Sequence, residues 1–340
     1  MQELLRRFSS RNNIIVTMIT GIVIVLGFAL PARSQTPMTK ILIGLTSPSI
    51  TELPIQIAIK KGFFKDEKLD PQTIVIRSAD IIVKALLSGQ VDYSTSLASL
   101  ATAALKGLPI KVVGVIVKKS TFVMVSESNV ASIKDLKGKA VGIASYGGAG
   151  DYAVRVALQK GGLNPKTDVT ILQIGGSAAR LAALRAGTIQ ATVLGSPYDL
   201  VAEKMGYRSL LWLGKVMDLP QGGLGTYEKK LQDSPDEIVH TMKAIDRGIQ
   251  FVKDSREESI KFIMEWLHLE RKIAEGAYQV LLDSLADFGI ADDSVIESAL
   301  EAARFQGHSE RQIPLDQIRN WTFARKAQAE LLEQKLVPRH

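Results

Sequence analysis

The chain has 340 residues, with 42 Lys and Arg against 35 Asp and Glu, and no cysteine. The cysteine count excludes disulfides, thiolate metal sites, a lipoprotein anchor and a cysteine nucleophile. The formal charge of +7 comes without any Arg- or Lys-rich run interleaved with aromatics, so nucleic acid is not an expected partner.

The N-terminal stretch stands apart. Arg6, Arg7 and Arg11 precede an apolar run from Ile14 to Leu30, and Pro31-Ala32-Arg33-Ser34 supplies small residues that a signal peptidase accepts. This pattern predicts a secretory signal over residues 1–34, cleaved after Ser34. The competing reading is an uncleaved anchor, for which a run of about 17 residues is at the lower limit of a bilayer span. Without those residues the chain carries 38 basic and 34 acidic groups, so much of the basic pI belongs to the leader. The remaining 306 residues suffice for a large core, burying about 75% of the unfolded surface.

From Lys40 onward short apolar runs alternate with helical periodicity. Strands are expected over 41–45, 73–77, 91–94 and 111–117, and helices over 52–61, 79–88 and 97–106. A second unit opens at Ser132, with strands over 139–144, 169–173 and 189–194 and helices over 150–160, 178–186 and 197–205. Alternation of this kind implies mainly parallel sheets with helices on their faces. Gly62, Gly89 and Gly107, then Gly161, Gly187 and Gly206, stand just past the helical stretches, where a left-handed cap is wanted. From Ser234 the pattern is helical only. Ser234-Pro235-Asp236-Glu237 and Ser255-Arg256-Glu257-Glu258 read as helix starts with hydroxyl N-caps, and Pro314-Leu315-Asp316 as the start of the last helix. Trp266 and Trp321 read as core aromatics.

The two units repeat each other at an offset of 98 residues. Ile41 to Ser47 matches Lys139 to Ser145, and Ala85 to Ser94 matches Ala183 to Thr192. One spacing shared by two separated blocks implies two similar lobes. Paired lobes enclose a cleft, and clefts bind small molecules. Coincidence between two stretches of ordinary strand–turn–helix text is the bland alternative.

In parallel sheets ligands bind beyond the carboxyl ends of strands. Six such loops are small, hydroxylated or glycine-rich: Thr46-Ser47-Pro48, Arg77-Ser78-Ala79 and Ser94-Thr95-Ser96 in the first unit, then Tyr146-Gly147-Gly148-Ala149, Gly175-Gly176-Ser177 and Gly195-Ser196-Pro197-Tyr198 in the second. Each leads into a helix, whose free N–H groups and partial positive charge favour an anion. Leu53, opening the first helix, and Gly222, ahead of the helical tail, complete the candidate ligand-binding set. Taken singly, each hydroxyl is explained by capping its own helix; taken together, the six loops describe a ligand cleft.

No catalytic motif survives inspection. Gly148-Ala149-Gly150-Asp151-Tyr152-Ala153 fits a dinucleotide-binding pattern, yet the next strand ends in Gln173-Ile174-Gly175 without the acid that would hold a ribose. All four histidines, at 240, 268, 308 and 340, fall in the helical tail without a metal-binding pairing. No cofactor or metal is implied.

Three blocks carry a family resemblance. Leu53 to Asp70, with its Lys61-Gly62-Phe63-Phe64-Lys65 centre, resembles a signature of the nitrate/sulfonate/taurine-type solute-binding proteins of ABC importers. Leu86-Leu87-Ser88-Gly89-Gln90-Val91-Asp92-Tyr93 and Asp135-Leu136-Lys137-Gly138-Lys139 resemble two further blocks of that family, in the expected order. Lys68, in place of a usual glycine, and Pro71 depart from the pattern at a surface turn. The resemblance implies a type 2 periplasmic binding protein fold: an α/β chain of two lobes with a hinge and a helical C-terminal tail. Lobe one would comprise residues 35–125 and 223–340, and lobe two residues 126–222. The hinge crossings would lie near 123–126 and 218–223, with Gly222 and Gly223 absorbing the dihedral change. The implied function is a monomeric, exported, periplasmic receptor. It would bind a small anionic organic molecule between the lobes and deliver it to an inner-membrane permease. The alternative is a small-molecule enzyme, a synthase or dehydratase, on the same fold. Thiamine-pyrimidine synthases of this fold need a cysteine-rich iron motif, which this chain lacks.

Overall fold

The structure is a computed structural model that describes residues 37–45, 48–76, 78–217, 219–307 and 309–336. The expected leader at 1–34, and with it any cleavage site, lies outside the described residues, as do Thr46, Ser47 and Arg77.

Two five-stranded mixed sheets organise the chain. The first has the order β2-β1-β3-β10-β4, built from β1 (Thr39–Leu45), β2 (Leu69–Val75), β3 (Tyr93–Ser94), β4 (Ile110–Val117) and β10 (Gly222–Tyr227). The second has the order β7-β6-β8-β5-β9, built from β5 (Phe122–Ser126), β6 (Ala140–Ile143), β7 (Thr170–Gln173), β8 (Ala191–Gly195) and β9 (Arg208–Trp212). In each, three parallel strands are followed by one antiparallel strand and an outer strand beyond it.

Helices cover both faces. In the first half these are α1 (Leu53–Lys60), α2 (Phe63–Asp66), α3 (Ala79–Leu87) and α4 (Leu97–Leu105); in the second, α5 (Ala149–Lys160), α6 (Ser177–Arg185) and α7 (Tyr198–Lys204). The tail supplies α8 (Glu228–Asp233), α9 (Pro235–Asp254), α10 (Arg256–Leu267), α11 (Arg271–Leu282), α12 (Asp293–Gly307) and α13 (Thr322–Glu333). Ile41, Ile43, Tyr93, Val113 and Leu224 on one face of the first sheet pack with α1, α9 and α13, while Leu86, Leu100, Val112 and Val115 pack with α12 on the other. The second sheet is covered by α5 on one face and by α6 and α7 on the other.

The 98-residue offset is physical. α3 and α6 are each nine residues long and start 98 residues apart. Asp92 accepts the Leu42 N–H on Oδ2 (2.8 Å), and Gln190 accepts the Ala140 N–H on Oε1 (3.0 Å), each partner shifted by 98. Gly89 and Gly187 both turn the chain with a left-handed φ, of 71° and 70°. After α5 the left-handed residue is Gly162 and not Gly161, because Gly161 still continues the helical turn at φ −81°.

Three strands fall outside the expected set: β5, β9 and β10. β10 reads Gly-Gly-Leu-Gly-Thr-Tyr, without apolar alternation. A Cβ at Gly223 would stand 2.7 Å from Leu97 Cγ, and one at Gly225 would stand 2.4 Å from Leu100 Cδ1. These glycines are extended strand residues that let α4 lie close against the sheet; they do not serve as free joints. Three tail expectations also need correction. Ser234 and Ser255 occupy N-cap positions, but neither hydroxyl caps its helix. Pro314-Leu315-Asp316 leads into a single 3₁₀ turn, and the last helix begins at Thr322, because the intervening segment runs alongside β4 with Val112 bridged to Arg319.

Candidate functional site

Strand direction determines where the loops gather. β4 is parallel to β1 and β3, so Val117 lies at the carboxyl ends of the first sheet, and Gly222 pairs with it. In the second sheet Phe122 pairs with Gly195 at the end of β8, and Val123 pairs with Trp212. The chain therefore passes between sheets at the carboxyl ends of both parallel triplets. Val117 and Phe122 are five residues apart, a reach of at most about 18 Å. At this crossing Gln221 Oε1 accepts the Thr121 N–H (2.9 Å) and also its hydroxyl.

On the first side, the loops after β1 and β3 meet the approach to β10. The Thr95 N–H donates to Gly44 O (3.1 Å), and the Gly223 N–H donates to Thr95 O (3.1 Å). The Thr95 hydroxyl donates to Glu52 Oε1 at 3.0 Å, in a buried setting. Glu52 belongs to the turn Ile50–Glu52 that opens α1, and its second carboxyl oxygen has no hydrogen bond from the described residues. A Cβ on Gly222 would lie 3.6 Å from Thr51 Cβ. Burial pushes the Glu52 carboxyl up to about 7, with the Thr95 hydroxyl pulling the other way. No sequence motif pointed to Glu52, because an acid before a helix reads as a solvated first-turn residue.

The second side is built around Arg180. Buried at 3% exposure, it donates from Nε and Nη2 to Val193 O (3.3 and 3.1 Å), from Nη1 to Gly175 O, and from Nη2 to Ser177 Oγ (3.2 Å). It thus ties the carboxyl end of β8 to the loop after β7, and among the described residues its hydrogen-bond acceptors are all neutral oxygens. Burial lowers its guanidinium to about 10, so it remains charged at neutral pH. Ser196 and Pro197 are buried, and the Ser196 hydroxyl lies beside the Asp199 carboxyl, whose charged form it favours. Asp199, in the first turn of α7, is pushed up to about 6 by burial.

The remaining candidates divide by what already holds them. Ser78 and Ser96 cap α3 and α4, accepting from the Ile81 and Ser99 N–H groups (3.4 Å each), and Ser94 Oγ accepts from the Ser96 N–H (3.3 Å). Leu53 lies in the first core and Tyr198 packs against the second lobe's cluster. The Tyr146 hydroxyl donates to Ile171 O (2.8 Å) while the residue is 57% exposed. Gly147 N–H donates to Asp151 Oδ2 (3.0 Å), so the loop's own acid occupies the place a dinucleotide phosphate would need. Pro48 is exposed, and Ala149 half-buried. Replacing Ser96 by Ala is expected to cost about 1 kcal/mol, read as a lower urea midpoint at unchanged slope; an unchanged midpoint refutes the capping role.

The tail spans the crossing on two sides. Gln306 Nε2 donates to Gly148 O (3.0 Å), and Phe305 meets Tyr152 edge-on with ring centroids 5.2 Å apart. On the other side α11 packs against both the Ile50–Glu52 turn and α7, where a Cβ at Gly276 would lie 2.8 Å from Leu200 Cδ1.

A family profile described as NMT1/THI5 like matches residues 50–259. The riboflavin-binding protein RibY of Chloroflexus aurantiacus is 26% identical over 244 residues, covering 67% of this chain and 68% of that protein. A putative aliphatic sulfonates-binding protein of Bacillus subtilis is 25% identical over 287 residues, covering 81% and 84%. Among solved structures, the periplasmic nitrate-binding protein NrtA from Synechocystis PCC 6803 matches with a TM-score of 0.70 at 16% identity, over 88% of this chain and 91% of that one. The desulfurization enzyme DSZB matches with a TM-score of 0.65 at 12% identity, over 86% and 99%. These structural likenesses establish the two-lobe fold of the periplasmic binding proteins.

Proposed function

The chain belongs to the NMT1/THI5-like family, and from that membership and the geometry of the crossing we propose that it is a non-enzymatic solute receptor of an ABC importer. It binds a small anionic organic molecule between its two lobes and hands it to a membrane permease. It acts as a monomer in the periplasm, after removal of its leader. The lobes are the two sheets with their helices, and the hinge is the pair of crossings that join them, including segments 118–121 and 219–221. The sulfonate and nitrate proteins among its relatives and structural neighbours support an anion as ligand. The observation that carries the reading is Arg180, a buried cation at the carboxyl ends of β7 and β8 with no carboxylate partner among the described residues. A fixed positive charge behind a cleft of strand ends and helix starts attracts an anion. Of the candidate residues, Thr95, Gly148, Ser196 and Gly222, with Glu52 added, form the surface best placed to meet it.

The test is thermal unfolding with ethanesulfonate, taurine, nitrate, benzoate and riboflavin. At least one sulfonate or carboxylate should raise the melting temperature saturably, because a ligand bound only to the folded state stabilises it. A panel without effect refutes an anionic ligand. One observation favours a second reading: a buried carboxyl near pH 7 is also what a general acid needs. Turnover of a bound small molecule by purified protein, abolished in Glu52→Gln, would support the enzyme.

A further inference from the structure

We propose that the seam between β4 and α13 binds a small tetrahedral oxyanion, phosphate or sulfate, at a site separate from the interlobe crossing. β4 is the outer strand of the first sheet, and residues 318–320 run along it: the Val112 N–H donates to Ile318 O (2.7 Å) and the Asn320 N–H to Val112 O (2.9 Å). Beside this pairing opens a cleft of about 310 Å³, lined by Lys111, Arg319, Trp321, Arg325 and the single acid Asp316 together with Asn320 and Thr322.

Two residues lining the cleft carry donors that lack acceptors among the described residues. Trp321 is 5% exposed, and its indole Nε1 is buried without a partner; Arg319 Nε is buried without one too. Buried N–H groups without acceptors are costly and rare. The Arg319 guanidinium is held in place, since its Nη2 reaches Asp293 Oδ1 (2.6 Å), which leaves Nε for something else. Lys111 Nζ is also fixed, donating to Asp316 O and Gln317 O (2.8 Å each) and pairing with Glu228 (3.1 Å). Arg325 stands one turn along α13 from Trp321, exposed and without an ion-pair partner among the described residues.

α13 begins at the same cleft. The Thr322 N–H donates to Asn320 Oδ1 (3.0 Å), and the Trp321 N-cap supplies no side-chain cap for the amides that follow. A twelve-residue helix start, the two residues that carry the orphaned N–H donors and a free guanidinium thus line one small volume. That combination fits an oxyanion with several acceptor oxygens. Lys111 pairs with Thr226 at the far end of β4 from the Val117–Gly222 pair, six residues and about 20 Å away. The site is therefore independent of the solute cleft.

The test titrates the full chain with inorganic phosphate, and separately with sulfate, at ionic strength held constant with sodium chloride. Tryptophan fluorescence and melting temperature are both read. The expected result is a saturable change in both, half-complete on the order of 1 mM. Arg325→Ala should weaken it about tenfold, and Trp321→Phe, which removes the indole N–H, should abolish the fluorescence change. Should Trp321→Phe not fold, Arg325→Ala decides. A phosphate and sulfate effect that never saturates, or that saturates equally in Arg325→Ala, overturns the proposal, because Arg325 is remote from the crossing.

Discussion

At pH 5 the protein is expected to be more stable than at pH 8, by about 2–3 kcal/mol from Glu52 alone. The Glu52 carboxyl is raised from an ordinary 4.5 to about 7 by burial. The folded state therefore holds a proton over that interval which the unfolded chain has released. Stability from this source is fully present below about pH 4.5 and is lost as pH climbs through 7. Asp199, raised to about 6 by burial, loses stability in the same direction and adds about 1 kcal/mol over the interval. Asp246 on α9 is fully buried, neither of its carboxyl oxygens has a partner among the described residues, and burial holds it well above the carboxylate range despite Lys253. Surface acids such as Asp135 and Asp168 are held low by hydrogen bonds and lose stability only at more acid pH, outside this window. Urea denaturation at pH 5, 6, 7 and 8 reads the slope. Glu52→Gln should remove the part centred near 7 and Asp246→Asn should stabilise at pH 8. Equal stability at pH 5 and 8 refutes the account. If Glu52 lies in the cleft as proposed, anion affinity falls over the same range, since a newly charged carboxylate repels the ligand.

The second large effect is steric. Gly248, within α9, faces α1 so closely that a Cβ would lie 2.1 Å from Pro54 O and 3.2 Å from Ala58 Cβ. The obstruction is backbone, which cannot swing aside as a side-chain tip can. Gly248→Val is expected to cost about 3 kcal/mol or more, because overpacking forces the two helices apart. Gly276→Ala is the control. Its new methyl would meet the Leu200 side chain, with Cδ1 at 2.8 Å, a flexible tip joining α11 to α7. That variant should lose less stability and shift ligand affinity more. A Gly248→Val protein unfolding at the wild-type urea concentration sinks the packing argument.

What could be read from the sequence was what local patterns encode. The parallel strands and helices α3, α4, α6 and α7 repeat recognisable text, and their positions agree with the expectation to within a few residues. β10 could not be read, because its glycines answer to Leu97 and Leu100 on a helix 125 or 126 residues earlier, a fact of packing with no local signature. Most hydroxyls of the strand-end loops proved to be spoken for: Ser78 and Ser96 cap their helices and Ser94 accepts within its own loop. The two side chains with the strongest electrostatic character, Glu52 and Arg180, were missed for one reason. Burial makes them unusual, and an acid or arginine at a helix start looks the same in text whether solvated or enclosed.

The exchange of antiparallel strands between the halves has a consequence for biosynthesis. β10 sits inside the first sheet, between β3 and β4, yet it is the last of the ten strands to leave the ribosome. Until residue 227 has emerged, the amino-terminal half has an open slot at its centre and cannot close its core. Such long-range closure makes folding slow.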